Sequence, residues 1–284
     1  MSGAQILNGK EITKKHLGQL ASLISEIQKK GAKLMLATVR VGETKDTLLY
    51  AKSIERLFKS LNIGYTERSF PEKTGESDLL KEITKLNTDP AITGIMIFAP
   101  LPKHLNSASV TNAVAVSKDV EGRRILQGTG SDRVASPTAL ACLALIDEVN
   151  EDLEGKEAVI VGRSDVVGKP AALLLIDKRA TVTVCNSKTK NLQKHIERAD
   201  IVIATAGKAE LIKGSWIKPG ATVIDVGENL VNEKLVGDVE FAAAKERAGY
   251  LTPVPGGVGP LTNVMLVKNL LTLHKLKEAF NGNH

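Results

Sequence analysis

The sequence predicts an α/β protein with more than one domain, on three observations. Short apolar runs rich in β-branched residues recur along the chain, with amphipathic stretches between them. Continuous apolar strands joined by crossovers make a parallel sheet covered on both faces. The length, 284 residues, is enough for two cores, since a domain takes about 100–200 residues. Near the end, residues 252–262 hold three prolines and three glycines in eleven positions. That run can be neither helix nor central strand and marks a built turn.

The elements follow in order. Leu34-Met35-Leu36-Ala37-Thr38-Val39 reads as a buried strand, and residues 46–61 as a helix. Residues 92–99 form a second apolar strand, ended by Pro100. Residues 137–149 read as a helix. Four short strands then follow at 158–161, 180–185, 201–206 and 222–226. Helical material separates several of them, so the second half, roughly 140–268, looks like a Rossmann-type parallel-sheet domain. Leu261 opens a last apolar run through Leu266, Leu270, Leu271 and Leu273 that reads as a helix. Gly256-Gly257 ahead of it allow a tight bend free of side chains, where a planar ligand or a phosphate can touch backbone.

Composition narrows the function classes. The chain is 43% hydrophobic and 25% charged, which is ordinary for a globular protein. Its net charge of +6 is spread along the sequence, unlike the basic stripe of a nucleic-acid binder. A mild positive field suits an anionic small molecule, and a lysine-rich solvated surface explains the charge equally well. Aromatic residues make up 3% of the chain, too few for a base-stacking platform. The two cysteines, Cys142 and Cys185, imply no disulfide framework. Five scattered histidines offer no metal-ligand spacing, so no metal is expected. The first fifteen residues are polar and no apolar run of ~18 residues occurs, so no membrane partner is expected and the cytoplasm is the default compartment.

The first strand-turn-helix of the second half carries Gly162-Arg163-Ser164-Asp165-Val166-Val167-Gly168-Lys169-Pro170. Gly162 lets the chain turn at the strand end, and Gly168 allows close helix packing; amides at the helix start are expected to face a phosphate. The spacing departs from G-x-G-x-x-G, and a plain βα turn explains it as well. The next strand ends in Asn186-Ser187-Lys188. An acidic residue there would favour a ribose hydroxyl and NAD; this polar and basic sequence, with Arg163, favours a 2′-phosphate and NADP.

These segments, in order and spacing, resemble one family along almost the whole chain, the bifunctional methylenetetrahydrofolate dehydrogenase/cyclohydrolases. Gly162-Arg163-Ser164 with Val167, Gly168 and Pro170 is similar to the family's cofactor loop, and Ser187-Lys188-Thr189 to its second loop. Lys213-Gly214-Ser215-Trp216, leading to Val223-Ile224-Asp225-Val226-Gly227, resembles another block, as do Val236-Gly237-Asp238-Val239 and the run at 252–262. In the first half Val41-Gly42, Tyr50, Pro100-Leu101-Pro102 and Lys118-Asp119-Val120 fall at family positions.

The resemblance implies an N-terminal α/β folate-type domain over 1–139, rejoined by a C-terminal helix over 267–284, and an NADP-binding Rossmann-type domain over 140–266. It implies a cleft between them and a homodimer. Residue by residue, it places Tyr50, Glu121, Pro255, Gly256 and Gly257 at the substrate, a tetrahydrofolate derivative, with Tyr50 also catalytic. It places Gly162, Arg163, Ser164, Val167, Gly168, Ser187 and Gly227 at NADP.

Three departures bear on the chemistry. The family's Tyr-x-x-x-Lys becomes Tyr50 with Ile54 at the lysine position. The family's glutamine two residues before Pro-Leu-Pro becomes Phe98, and its Asp-Val-Asp-Gly becomes Asp119-Val120-Glu121-Gly122. The lysine is a proton shuttle, and positioned acid–base catalysis contributes roughly 10²–10⁴-fold. Lys52 does not share the face of Tyr50, because i and i+2 lie about 200° apart on a helix. Lysine and glutamine are partners in the family, and replacing both by apolar groups is nearly neutral for stability. The expected activity is NADP-dependent oxidation of 5,10-methylenetetrahydrofolate in one-carbon metabolism, with cyclohydrolase weak or lost. Two alternatives stay open: the same fold with a different substrate, and a non-catalytic ligand-binding paralogue.

Overall fold

The computed structural model describes residues 3–123, 134–149 and 152–281. The described residues fall into two compact units, Met1–Leu17 with Ser136–Met265, and Gly18–Ala135 with Leu266–His284. In chain order the elements are β1 (Gln5–Ile6), α1 (Gly9–Lys29), β2 (Met35–Val41), α2 (Lys45–Ser60), β3 (Gly64–Phe70), α3 (Glu76–Thr88), β4 (Gly94–Ile97) and α4 (Ser107–Asn112). They continue with α5 (Pro137–Asp147), β5 (Glu157–Val161), α6 (Gly168–Asp177), β6 (Thr181–Cys185), α7 (Leu192–Glu197), β7 (Ile201–Ala204) and β8 (Thr222–Asp225). The last are β9 (Asn229–Val231), β10 (Lys234–Val236), α8 (Phe241–Lys245), β11 (Tyr250–Leu251) and α9 (Gly259–Asn281).

In the unit of Gly18–Ala135 a three-stranded sheet has the order β3-β2-β4, all parallel. Val39 and Ile97 are register partners at the end of the β2–β4 ladder. Ala37, Val39, Ile95 and Ile97 pack with Leu79, Ile83 and Leu86 of α3. These strands form from continuous apolar runs because both faces are covered. The N-terminus of α2 is closed by a capping box: the Thr44 side chain accepts from the Thr47 N–H, and the Thr47 side chain accepts from the Thr44 N–H. An N-cap of this kind stabilises a helix by about 1 kcal/mol. It sets the start of the helix that carries Tyr50 and Ile54.

In the other unit a six-stranded parallel sheet has the order β1-β11-β8-β7-β5-β6. The β7 and β8 segments are buried throughout. α5 is buried from Ala139 to Ile146 without interruption, as a helix apolar all round must be. Pro137 sits in its first turn, where no amide is needed. Cys142 lies inside α5, and burial pushes its thiol up to about 12. β9 and β10 form a separate antiparallel hairpin.

The predicted strands and helices at 34–39, 46–61, 92–99, 137–149 and across the second half correspond to β2, α2, β4, α5, β5, β6, β7 and β8. The expected boundaries grouped 1–139; contacts instead group residues 1–17 with 136–265. The reason is pairing: Gln5 and Ile6 add β1 to the sheet edge in register with Tyr250 and Leu251. Among the described residues no helix is long and apolar enough to cross a membrane.

Candidate functional site

The first cluster lies in the unit of Gly18–Ala135. Past the end of β4 the chain places Phe98, then a cis Ala99–Pro100 bond. Residues 119–123 run beside β4, with Asp119 bridged to Ile95. The turn is closed by Asp119, whose carboxylate accepts from the Glu121 N–H at 3.1 Å and the Arg123 N–H at 2.8 Å. Gly122 takes φ +56°, and a Cβ there would stand 2.6 Å from the backbone of Ala135. Only glycine fits such a position without strain.

Glu121 is anchored at both oxygens. Its Oε1 accepts from Arg123 Nη2 at 2.8 Å, and its Oε2 accepts from the Ile97 N–H at 3.2 Å. Burial raises the Glu121 carboxyl above the usual range, and the Arg123 charge opposes that rise. Tyr50 packs edge-on against Phe98, with ring centroids 5.9 Å apart and an interplanar angle of 83°. Its hydroxyl is pushed up to about 12, mainly by burial and then by the charge of Glu121. It is therefore a neutral phenol across the physiological range. Ile54 and Phe98 are buried, whereas Lys52 is exposed. The family-aligned positions Tyr50, Phe98 and Glu121 thus come together in one unit. Arg123 was not singled out from the sequence, although it stands two residues beyond Glu121.

The second cluster is a pocket of about 510 Å³ in the other unit. Gly162, Arg163, Ser164 and Ser187, four of the residues expected at the cofactor, line it. Thr205 and Lys208 line it too and were not foreseen. Gly162 has φ +134°, and a Cβ there would meet the Thr205 carbonyl oxygen at 2.1 Å. The glycine therefore lets β5 turn beside the Thr205 loop. Lys208 comes from a turn held by Asp238, whose carboxylate accepts from the amides of Ala206, Gly207 and Lys208. Val167 and Gly168 do not line this pocket. Their amides donate to Ser164 Oγ at 3.1 and 3.4 Å, so a side chain, rather than open space, meets the helix start. The donor set of arginine, lysine and hydroxyls, with no carboxylate on the lining, fits a phosphorylated nucleotide.

The third feature is a cleft of about 190 Å³ in the same unit as the nucleotide-type pocket. Pro255, Gly256 and Gly257 line it, and Gly227 lines it with them instead of lining the larger pocket. Val254–Pro255 is cis and Gly256 has φ +106°. The Gly9 N–H donates to the Gly256 carbonyl at 2.9 Å. Asp225, with Gly227 beside it, accepts from the amides of Gly227, Asp238 and Val239. Burial raises this carboxyl to about 6. Among the described residues no group of three or more His, Cys, Asp or Glu side chains is arranged for a metal ion.

Comparison with known proteins places these features in context. Residues 7–121 match the profile of the tetrahydrofolate dehydrogenase/cyclohydrolase catalytic domain, and residues 136–278 that of the NAD(P)-binding domain of the same enzymes. The chain is 45% identical over 287 aligned positions to the bifunctional protein FolD 2 of Geobacter sulfurreducens, covering 99% of both chains. The crystal structure of the bifunctional FolD methylenetetrahydrofolate dehydrogenase/cyclohydrolase of Campylobacter jejuni superposes with a TM-score of 0.91 at 33% identity, covering 96% of this chain and 99% of that one. The Trypanosoma brucei enzyme, crystallised with NADP and an inhibitor, gives a TM-score of 0.90 at 32% identity, covering 98% and 99%.

Proposed function

The chain belongs to the tetrahydrofolate dehydrogenase/cyclohydrolase family, and from that membership we propose that it is an NADP-dependent 5,10-methylenetetrahydrofolate dehydrogenase whose cyclohydrolase step is slow or absent. The observation that carries the cofactor choice is the lining of the 510 Å³ pocket: Arg163 and Lys208 with Ser164 and Ser187, and no carboxylate. A dinucleotide lacking the 2′-phosphate is usually met by an acidic residue on its ribose, and this pocket offers none. NADP, when bound, supplies the acceptor for the hydride that leaves the folate methylene carbon.

This chain's own residues bind and align. Glu121 pairs with the amidine-like edge of the pterin, and Tyr50 stacks on or orients the ring. Arg163, Ser164 and Ser187 hold the 2′-phosphate region. The methylene carbon is activated by its own two nitrogens, so the oxidation needs alignment more than a proton relay. Hydrolysis of the methenyl product does need water activation and proton transfer. Ile54 and Phe98, both buried, place apolar groups at the positions where the family pattern that the sequence resembles has a lysine and a glutamine. That is the ground for a slow cyclohydrolase. The same reading gives a cytoplasmic homodimer, and analytical ultracentrifugation of the purified protein tests the dimer.

The test of cofactor choice is titration calorimetry with NADP⁺ and with NAD⁺. Equal affinity for the two overturns the assignment. A changed substrate is the second reading, favoured because Ile54, Phe98 and Glu121 all depart from the family on the substrate side while the nucleotide pocket keeps its glycine, basic and hydroxyl groups.

A further inference from the structure

Four side chains able to carry charge meet at the 119–123 turn and α2: Asp119, Glu121 and Arg123 on the turn, and Tyr50 from the helix. Phe98 is buried and packs edge-on against Tyr50, and Ile54, four residues along α2 from Tyr50, is buried as well. Among the described residues in this group, Arg123 is the one cation. Its position is fixed from two sides. The backbone N–H is tied to Asp119 Oδ2 at 2.8 Å. The guanidinium Nη2 donates both to Glu121 Oε1 at 2.8 Å and to the Ile97 carbonyl at 3.3 Å. The group is thus pinned between the carboxylate and the end of β4.

A carboxylate held against an apolar wall takes up a proton unless a charge or donors hold it ionised. Glu121 has two such supports, the Ile97 N–H and Arg123, and only the second carries charge. We propose that Arg123 is a positioning residue of the substrate site: its guanidinium orients the Glu121 carboxylate and opposes the protonation that burial favours, so that the anion is available to a cyclic amidine edge. This inference rests on the folate reading for the identity of the ligand, and on the geometry of the turn for the role of the arginine. It also gives the site a cation that Ile54 cannot supply. A lysine at 123 would keep the charge but lose the planar fork, so it should serve only in part.

The groups facing Glu121 act with known signs. Burial and the neighbouring Asp119 raise its proton affinity; Arg123 and the Ile97 amide lower it. Tyr50 stays neutral and adds no charge. Removing the guanidinium should therefore let Glu121 protonate at higher pH. Ligand binding that needs the anion is lost as pH falls through that point, so the loss should begin earlier in the variant.

The experiment uses the full chain and the variants Arg123→Gln and Arg123→Lys. Carboxyl NMR follows the titration of Glu121 without ligand, its signal identified by its loss in Glu121→Gln. Tetrahydrofolate binding is measured from pH 5 to 9, with NADP⁺ binding as the check that each variant is folded. In Arg123→Gln the Glu121 midpoint should rise by about one pH unit or more. Tetrahydrofolate binding at neutral pH should weaken about tenfold, with less loss at alkaline pH. Arg123→Lys should recover part of both. An unchanged Glu121 midpoint in Arg123→Gln overturns the proposal. So does a loss of binding equal at every pH, which makes Arg123 a direct ligand contact. If the parent protein binds no tetrahydrofolate at millimolar concentration while the Glu121 midpoint still moves, the folate reading fails and the role of Arg123 stands.

Discussion

Glu121, the proposed contact to the substrate, is held by an arginine on one oxygen and a backbone amide on the other. Glu121→Gln keeps the shape and removes the charge. It should weaken tetrahydrofolate binding by roughly 1.5–3 kcal/mol, the range for a charge-assisted hydrogen bond. NADP⁺ titration of the same variant should be unchanged. On the nucleotide side, Arg163→Ala should weaken NADP⁺ binding by a similar amount and leave NAD⁺ nearly unaffected, since only the former offers a phosphate to the guanidinium. Ile54 and Phe98 form a coupled pair of predictions. A lone Ile54→Lys buries an ammonium in a fully buried position, and should cost about 3 kcal/mol or more in chemical denaturation. Adding Phe98→Gln should recover part of that cost, and methenyl hydrolysis should rise more in the double variant than the single variants imply. Additive effects would show that the two positions do not cooperate. The placement of Tyr50, Phe98 and Glu121 in one unit was legible because each sits in a motif with fixed spacing. Arg123 and Lys208 were not. Their roles depend on which backbone turns Asp119 and Asp238 close, and those turns are tertiary facts that no local pattern encodes.

At the scale of elements, two buried aspartates hold the loops that line both clefts of the sheet unit. Asp238 takes three amides of the 206–208 turn and the Asn229 side chain. Asp238→Asn replaces an acceptor oxygen by a donor and leaves at least one buried amide unmatched, at a cost of about 1–3 kcal/mol. NADP⁺ affinity should fall because the 206–208 turn that carries Lys208 loses its support, and tetrahydrofolate affinity should not. Asp225 gives a pH signature. Its folded-state value of about 6 lies above the ordinary 3.8, so the folded protein holds the extra proton between those values. The stability this carboxyl contributes is full below about pH 4 and is lost as pH rises through 6, by roughly 3 kcal/mol at most. The unfolding free energy of the parent minus that of Asp225→Asn should therefore decline from pH 4 to 7 in urea titrations. A flat or rising difference contradicts the assignment. Among the elements, β2, β5, β7 and β8 were plain in the sequence because parallel strands buried on both faces read as unbroken apolar runs. β3 was not, because Gly64-Tyr65-Thr66-Glu67-Arg68-Ser69-Phe70 is partly exposed and carries charge. β1 was hidden for another reason: it is two residues long and its partner, β11, lies at the far end of the chain.

At the scale of the whole molecule, recognition rested on the order of several blocks, not on any single one. The glycine turn at 162, the Ser187 loop, the Asp225 and Asp238 segments and the run at 252–262 all belong to one described unit. Their spacing made the family legible. The allotment of residues 1–17 to that unit was not legible, since it depends on β1 pairing and on Gly9 seated against the Gly256-Gly257 bend. A Cβ on Gly9 would lie 1.8 Å from the Gly257 carbonyl oxygen. The central claim is that this chain oxidises 5,10-methylenetetrahydrofolate with NADP⁺ and hydrolyses the product slowly. The direct measurement incubates the purified protein with both compounds and follows NADPH and the methenyl chromophore separately in one reaction. NADPH should appear with a nearly equal amount of methenyl product, and that product should then decay far more slowly than it forms, at a rate close to that of an enzyme-free control. NADPH formed with no methenyl accumulation would show a brisk cyclohydrolase, and no NADPH at all would show that the protein is not this dehydrogenase.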